Sequence, residues 1–191
     1  MRIINSSFFR MLLAFILCVI LCCLFFFGYG IVEAEWMFTV GLMMGYTAIH
    51  FIIMFATAPI VFMLFRNKYN YRHMWFRPKG FEKKLYRILM LKKWKNKIPT
   101  YDQSAYSIQK HNAEKVIQMM CHAEIVHELI ALLSYLPVFV GIYTSHYGLL
   151  IALSFSFSIV HLSFVAVQRF NRPVIVRLYE ATQKKLHSNS E

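Results

Sequence analysis

Residues 125–143 read IVHELIALLSYLPVFVGIY, an apolar run close to the ~20 residues that a helix needs to cross the hydrocarbon of a bilayer. Its entrance is Ala123-Glu124-Ile125-Val126-His127-Glu128, which sets two carboxylates and an imidazole at the mouth of the span. Ionisable side chains are expensive there, so the cluster marks a candidate site. Three further stretches, 11–32, 36–65 and 148–167, are apolar over similar or greater lengths. The fold expected is therefore all-α, a polytopic membrane protein with four transmembrane helices. The second stretch is over-long, which calls for tilt or for a bend at Pro59.

Composition supports this class. With 58% hydrophobic and 17% aromatic residues, and a mean hydropathy of +0.48, the chain has too little polar surface for a soluble protein. Of 21 Lys and Arg, two precede the first span, fourteen lie in residues 66–115 and five follow the fourth span. The hairpins at 33–35 and 144–147 carry none. The positive-inside rule then gives both termini and the long central loop a cytoplasmic address. Three regions follow: 1–65 with two spans, 66–121 as a basic aromatic cytoplasmic loop with an interfacial helix, and 122–191 with two spans and a short tail. The first span reads as a signal anchor or, if cleaved, as a signal peptide. Cys18, Cys22 and Cys23 lie within it, and Cys121 lies on the cytoplasmic side, so no disulfide framework is expected. The net charge of +12 is explained by topology and by attraction to anionic head groups, making the bilayer a partner and nucleic acid not one.

Within the loop, aromatics alternate with cations as in a head-group layer. Phe81, Leu85, Ile88, Leu89 and Leu91 suit one short amphipathic helix, whose Lys83, Lys84, Arg87, Lys92 and Lys93 can reach lipid phosphate or a polar substrate. Pro99 opens a polar turn over 100–107, and a helix starting near Ser107 is expected to run unbroken into the third span.

At 100° per residue, Glu124 and Glu128 lie about 40° apart and His127 about 60° from Glu124, so the three share a face. His122 projects roughly 160° away, which disfavours a metal held by His122, Glu124 and His127. No metal is expected, and one would need ligands such as His161 or His50. A histidine held by a carboxylate suits proton removal from a hydroxyl, which makes His127 the candidate general base and Glu124 its orienting partner. Glu128 would meet a loop lysine. The other reading has Glu124 paired with an arginine after the fourth span and His127 bonded to a neighbouring helix. That fourth span ends in Gln168-Arg169-Phe170-Asn171-Arg172-Pro173, whose guanidinium and amide groups fit a polar pocket for carboxylate or phosphate. His161, earlier on the same span, fits an interhelical hydrogen bond.

Three motifs in one order carry a resemblance: Lys93-Trp94-Lys95 with Pro99 behind it, Ala123-Glu124-Ile125-Val126-His127, and Gln168-Arg169-Phe170-Asn171-Arg172-Pro173. Together they resemble the glycosyl-4,4'-diaponeurosporenoate acyltransferase family over roughly 75–178. The resemblance implies an O-acyltransferase of the bacterial cell membrane that esterifies a fatty acyl group onto a sugar hydroxyl of a glycolipid, in staphyloxanthin formation a glycosylated carotenoid. The region after Pro99 lacks a glycine associated with that turn, so the acceptor can differ.

The roles expected at matching positions come from chemistry. His127 and Glu124 would act on the proton, Arg169, Arg172 or Asn171 would stabilise the oxyanion, and Gln168 would help form the pocket. Lys93, Trp94 and Lys95 would bind the acyl donor, which is acyl-coenzyme A or acyl carrier protein as co-substrate with no bound cofactor. Partners would be the glycolipid acceptor, that donor and other enzymes of the same lipid pathway. Direct transfer is expected, although Cys121 one turn before Glu124 keeps a covalent route open. Two other classes remain: a non-catalytic scaffold of a lipid-modifying complex, and a small transporter, for which only His50 and His161 lie deep within spans.

Overall fold

The computed structural model describes residues 7–95, 106, 108, 111–141 and 145–188. These are helical, without a strand among the described residues: α1 Ser7–Val32, α2 Glu35–Phe65, α3 Glu82–Ile88, α4 Leu91–Trp94, α5 Ala113–Leu133, α6 Leu136–Gly141 and α7 Tyr147–Ser188. Four stretches, Phe8–Val32, Glu35–Phe65, Ala113–Phe139 and Tyr147–Leu186, are long and apolar enough to cross a membrane. In hydrocarbon every backbone polar group needs an internal partner, and long helices provide it.

The chain forms two compact units, Met1–Pro59 with Leu129–Val160 and Ile60–Glu128 with His161–Glu191. In the first unit, α1 and α2 meet along small residues. A side chain at Gly41 would press on the Phe26 ring at 3.2 Å, and one at Gly45 on Cys22 Sγ at 3.1 Å, so these glycines let the helices approach closely. Phe15 closes the seam by edge contacts with Phe51 and Phe55.

The third span is not the single helix expected. Pro137 has no N–H for the carbonyl of Leu133 and its ring crowds that position, so α5 stops at Leu133 and α6 begins at Leu136. The carbonyl of Ser134, at the break, accepts from Tyr46 Oη at 2.7 Å and from Ser154 Oγ at 2.9 Å. Ser134 Oγ returns to the carbonyl of Ile130 at 2.7 Å. His50 Nδ1 lies 3.3 Å from Ser134 Oγ and its ring stacks on Phe157. These buried polar groups satisfy a broken helix.

In the second unit, α2 ends at two successive left-handed residues, Arg66 (φ 48°) and Asn67 (φ 57°), which turn the chain sharply. The following loop is mostly exposed but is anchored at Tyr69 and Phe76. Tyr69 and Gln118 exchange two hydrogen bonds, Tyr69 N–H to Oε1 at 2.6 Å and Nε2–H to the Tyr69 carbonyl at 3.1 Å. Tyr69 and Phe76 are buried with Ile117 and Cys121 of α5 and pack on Ile175, Val176 and Tyr179 of α7. The amphipathic helix expected across 81–91 is two short helices, because Met90 is left-handed (φ 48°) and reverses the chain between α3 and α4. Leu91, fully buried, and Trp94, whose Nε1–H donates to the carbonyl of Leu89 at 2.7 Å, hold that reversal.

Two boundaries differ from expectation. Helix α5 begins at Ala113, capped by Asn112, whose Oδ1 accepts from the Lys115 N–H at 2.8 Å. The expected helix start at Ser107 and the 100–105 part of the expected turn lie outside the described residues. Helix α7 runs through Pro173 to Ser188, where a short tail was expected.

Removing the Tyr46 hydroxyl tests the reading of the α5 break. Tyr46→Phe leaves Ser154 as the remaining donor to the Ser134 carbonyl, and a loss of about 1 kcal/mol is expected, in the range of interhelical hydrogen bonds in membrane proteins. Unfolding in mixed micelles measures it, and unchanged stability would mean that the break needs no such support.

Candidate functional site

Burial along α5 recurs at Ile117, Cys121, Glu124 and Val126, and along α7 at His161, Val165, Gln168 and Arg172. Spacings of mainly three and four keep each set on one face of its helix. One α5 position on that face is a carboxylate with no exposed surface, and two α7 positions are guanidinium groups at or near it.

The carboxylate is Glu124. Its Oε1 accepts from Arg169 Nη1 at 2.5 Å and its Oε2 from Arg172 Nη1. Arg169 continues outward: Nε and Nη2 both reach Glu82 Oε1, at 2.9 and 2.6 Å, Nη1 reaches the carbonyl of Trp75 at 3.0 Å, and Nη2 that of Arg77 at 3.0 Å. A guanidinium has five N–H donors, and these five bonds use all of them. Arg172 Nη2 donates to the carbonyl of Phe76 at 2.5 Å, and its guanidinium lies 5.0 Å from the Phe76 ring centre. Two carboxylates and two guanidiniums thus close on themselves and on three consecutive loop carbonyls.

This arrangement corrects the expected pairing. Glu124 does not orient His127, because its two oxygens are held by Arg169 and Arg172. His127 Nδ1 instead lies 2.9 Å from His161 Nδ1, and its ring stacks on Phe164 with centroids 4.6 Å apart. Two Nδ1 atoms at that distance share one proton, so one imidazole donates and the other accepts. The reading with Glu124 on an arginine and His127 on a neighbouring helix is the one observed. Among the described residues Glu128 meets no lysine; its Oε2 accepts from Trp75 Nε1 at 3.0 Å. His122 is bonded through Nδ1 to Tyr69 Oη at 2.8 Å.

Arg169 also fails as an oxyanion donor, since none of its N–H groups is left. Glu82, the partner that makes this so, was missed by sequence reasoning. It is the one acidic residue in the cationic stretch 66–101, and a lone carboxylate among so many cations signals an internal ion pair.

Outside the ion-pair cluster lies a concave cavity of about 1070 Å³, lined by the loop, α3, α4 and the second half of α7. Ten of its twenty lining residues are Lys or Arg and two are Glu. Its walls include Phe76, Tyr86 and Phe170, and Tyr86 packs edge-on against Phe170. Burial and the Glu82 carboxylate raise the Tyr86 phenol, and burial pushes Tyr69 up to about 12, so both remain neutral hydroxyls at physiological pH.

The expected binding residues divide. Lys93, Arg169 and Arg172 line the cavity. Lys95 instead donates to Asn171 Oδ1 at 2.8 Å and sits 4.9 Å from the Phe170 ring centre, tying α7 to the residue after α4. Trp94 serves the α3–α4 reversal, and Gln168 is buried. His127 and Glu124 are not among the lining residues.

Comparison with known proteins adds one finding: the model of a family described as glycosyl-4,4'-diaponeurosporenoate acyltransferase matches residues 72–181. No curated protein and no solved structure matches the chain.

The ion-pair cluster makes Glu124 structural, and truncation tests this. Glu124→Ala strands the almost fully buried Arg172 and leaves Arg169 with Glu82 as its one carboxylate, and is expected to cost about 3–5 kcal/mol, as for other broken buried pairs. Arg169→Lys, which keeps the charge but not the five-donor fork, is expected to destabilise as well. Abundance and thermal stability in detergent measure both, and a Glu124→Ala protein as stable as the parent would remove the structural role.

Proposed function

This chain belongs to the glycosyl-4,4'-diaponeurosporenoate acyltransferase family, and from that premise we propose that it transfers a fatty acyl group from an activated thioester to a sugar hydroxyl of a membrane glycolipid. The observation that carries this reading is the cationic cavity, because nineteen of its twenty lining residues, all but Tyr71, fall within the matched stretch 72–181. Cations concentrated in a concave site attract the anionic portion of an acyl donor. The acceptor is a glycosylated carotenoid or a similar glycolipid, its apolar tail held among helices apolar enough to cross a membrane.

In this proposal the loop and both termini face the cytoplasm, on the strength of the distribution of Lys and Arg. The reacting sugar lies at the membrane surface. His127 is the base: in the tautomer whose Nδ1–H donates to His161, its Nε2 takes the proton of the sugar hydroxyl as that oxygen attacks the acyl carbonyl. The tetrahedral intermediate collapses with departure of the thiolate, which recovers the proton from the imidazolium. One ester and one thiol result. Asn171, whose Oδ1 is held by Lys95, keeps its amide N–H groups to donate to the oxyanion, as Arg172 does with the donors that Glu124 and Phe76 leave.

A scaffold reading is favoured by one observation, that Glu124, Arg169 and Arg172 are engaged in holding the fold. Lipid mass spectrometry of membranes from cells with and without the protein separates the two, alongside cells making His127→Ala at matched abundance. The expected result is a glycolipid heavier by one fatty acyl group only with the intact protein, and a loss of at least about a hundredfold in His127→Ala, the scale of general-base catalysis. An acylated product that persists in His127→Ala cells would sink the base assignment. If no acylated lipid depends on the protein, the scaffold reading replaces acyl transfer.

A further inference from the structure

The ion-pair cluster decides which cavity cations are available. Arg169 and Arg172 are neutralised by Glu82 and Glu124, and Arg72 by Glu180 at 2.9 Å. Arg77 Nε donates to the carbonyl of Arg72, and Lys79 Nζ to that of Met74. Lys83, Arg87, Lys92, Lys93 and Arg177 also line the cavity, and none of them forms an ion pair among the described residues; Arg177 gives only its Nε–H, to the carbonyl of Pro173 at 3.2 Å.

Their placement is built by the backbone. Lys83 and Arg87 are one turn apart on α3, so they share a face. Met90, left-handed and itself part of the lining, reverses the chain so that Lys92 and Lys93 of α4 join the same cavity. Arg177 comes from α7. Five cations from three elements converging on one concavity exceed what a single phosphate needs and match a ligand with several phosphate charges.

The size of the cavity fits a small-molecule donor. About 1070 Å³ is at the upper end for a pocket that takes one small molecule. A carrier protein, by contrast, docks through a surface on the order of 800 Å² per partner.

We infer that Lys83, Arg87, Lys92, Lys93 and Arg177 form a polyphosphate site for the nucleoside-diphosphate end of a coenzyme-A-type acyl thioester. This rests on the acyl-transfer reading only for the acyl group; the phosphate site itself does not. The shared chemistry, a phosphate, is also found on anionic lipid head groups, and the test separates these sources.

Full-length protein in nanodiscs of phosphatidylcholine is titrated calorimetrically with coenzyme A and, separately, with inorganic diphosphate. Coenzyme A is expected to bind, with diphosphate competing. The exposed pair Lys92→Gln/Lys93→Gln is expected to weaken it about tenfold or more, and Lys92→Arg/Lys93→Arg to retain it. Nanodiscs with added phosphatidylglycerol are expected to leave coenzyme A binding in place. Displacement of coenzyme A by phosphatidylglycerol would reassign the cavity to lipid head groups, and unchanged affinity in the Gln pair would remove these lysines from it. Failure of coenzyme A to bind, while cells still acylate a glycolipid only with this protein, overturns the donor site and leaves acyl transfer standing. Binding as expected with no protein-dependent acylation does the reverse.

Discussion

The Glu124 carboxylate has no exposed surface, and taking a charge out of water costs several kcal/mol unless opposite charge and hydrogen bonds replace the solvent. Here the replacement comes from two guanidiniums of α7, one of which carries a second carboxylate, Glu82, at the start of α3. The four charges balance. Each member also fixes something larger: Glu124 holds α5, the arginines hold α7, and the donors left over hold the carbonyls of Trp75, Phe76 and Arg77. The whole second unit depends on this exchange. A loop rich in Lys and Arg would otherwise repel itself and remain solvated; threaded through arginine donors, it packs Tyr69 and Phe76 against α5 and α7.

The same interaction explains α7. Pro173 removes an N–H from the helix interior and crowds the carbonyl of Arg169, which ordinarily ends a helix. Arg169 and Arg172 just before Pro173 are held from outside the helix, and Ile175, Val176 and Tyr179 just after it pack on the Tyr69 and Phe76 cluster, so the backbone on either side of Pro173 is fixed by tertiary contacts. Local propensity loses to tertiary bonding, and the helix reaches Ser188.

What was legible in the residues follows from what each signal measures. Hydropathy measures transfer from water and therefore identified four stretches able to cross a membrane, but it is blind to a proline inside an apolar run, which is why the α5–α6 break at Pro137 was not foreseen. Helical angles measure which side chains share a face, and Glu124 and His127 do both meet α7. The angles carry no information about what lies opposite that face, where Arg169 and Arg172 meet Glu124 and His161 meets His127. The sequence of the basic loop shows cations able to reach a phosphate but does not tell one from another. Only the ion pairs divide those that hold the fold from those that face the cavity.

That division assigns different physical tasks to neighbouring charges. In the arginine and glutamate cluster Arg169 is fully used, so developing charge on a substrate finds nothing to gain from it, whereas Arg172 gives one donor to Glu124 and one to the Phe76 carbonyl. The cavity is the opposite case, a concentration of cations whose mutual repulsion an anionic ligand would relieve. Its shape requires a left-handed Met90, a conformation costing about 1–3 kcal/mol for a residue with a side chain, and burial of Leu91 beside it holds that conformation in place. Without the reversal, α4 would continue the direction of α3, and Lys92 and Lys93 would be carried away from Lys83 and Arg87. Strain at one residue is thus the condition for gathering four cations of two short helices into one site.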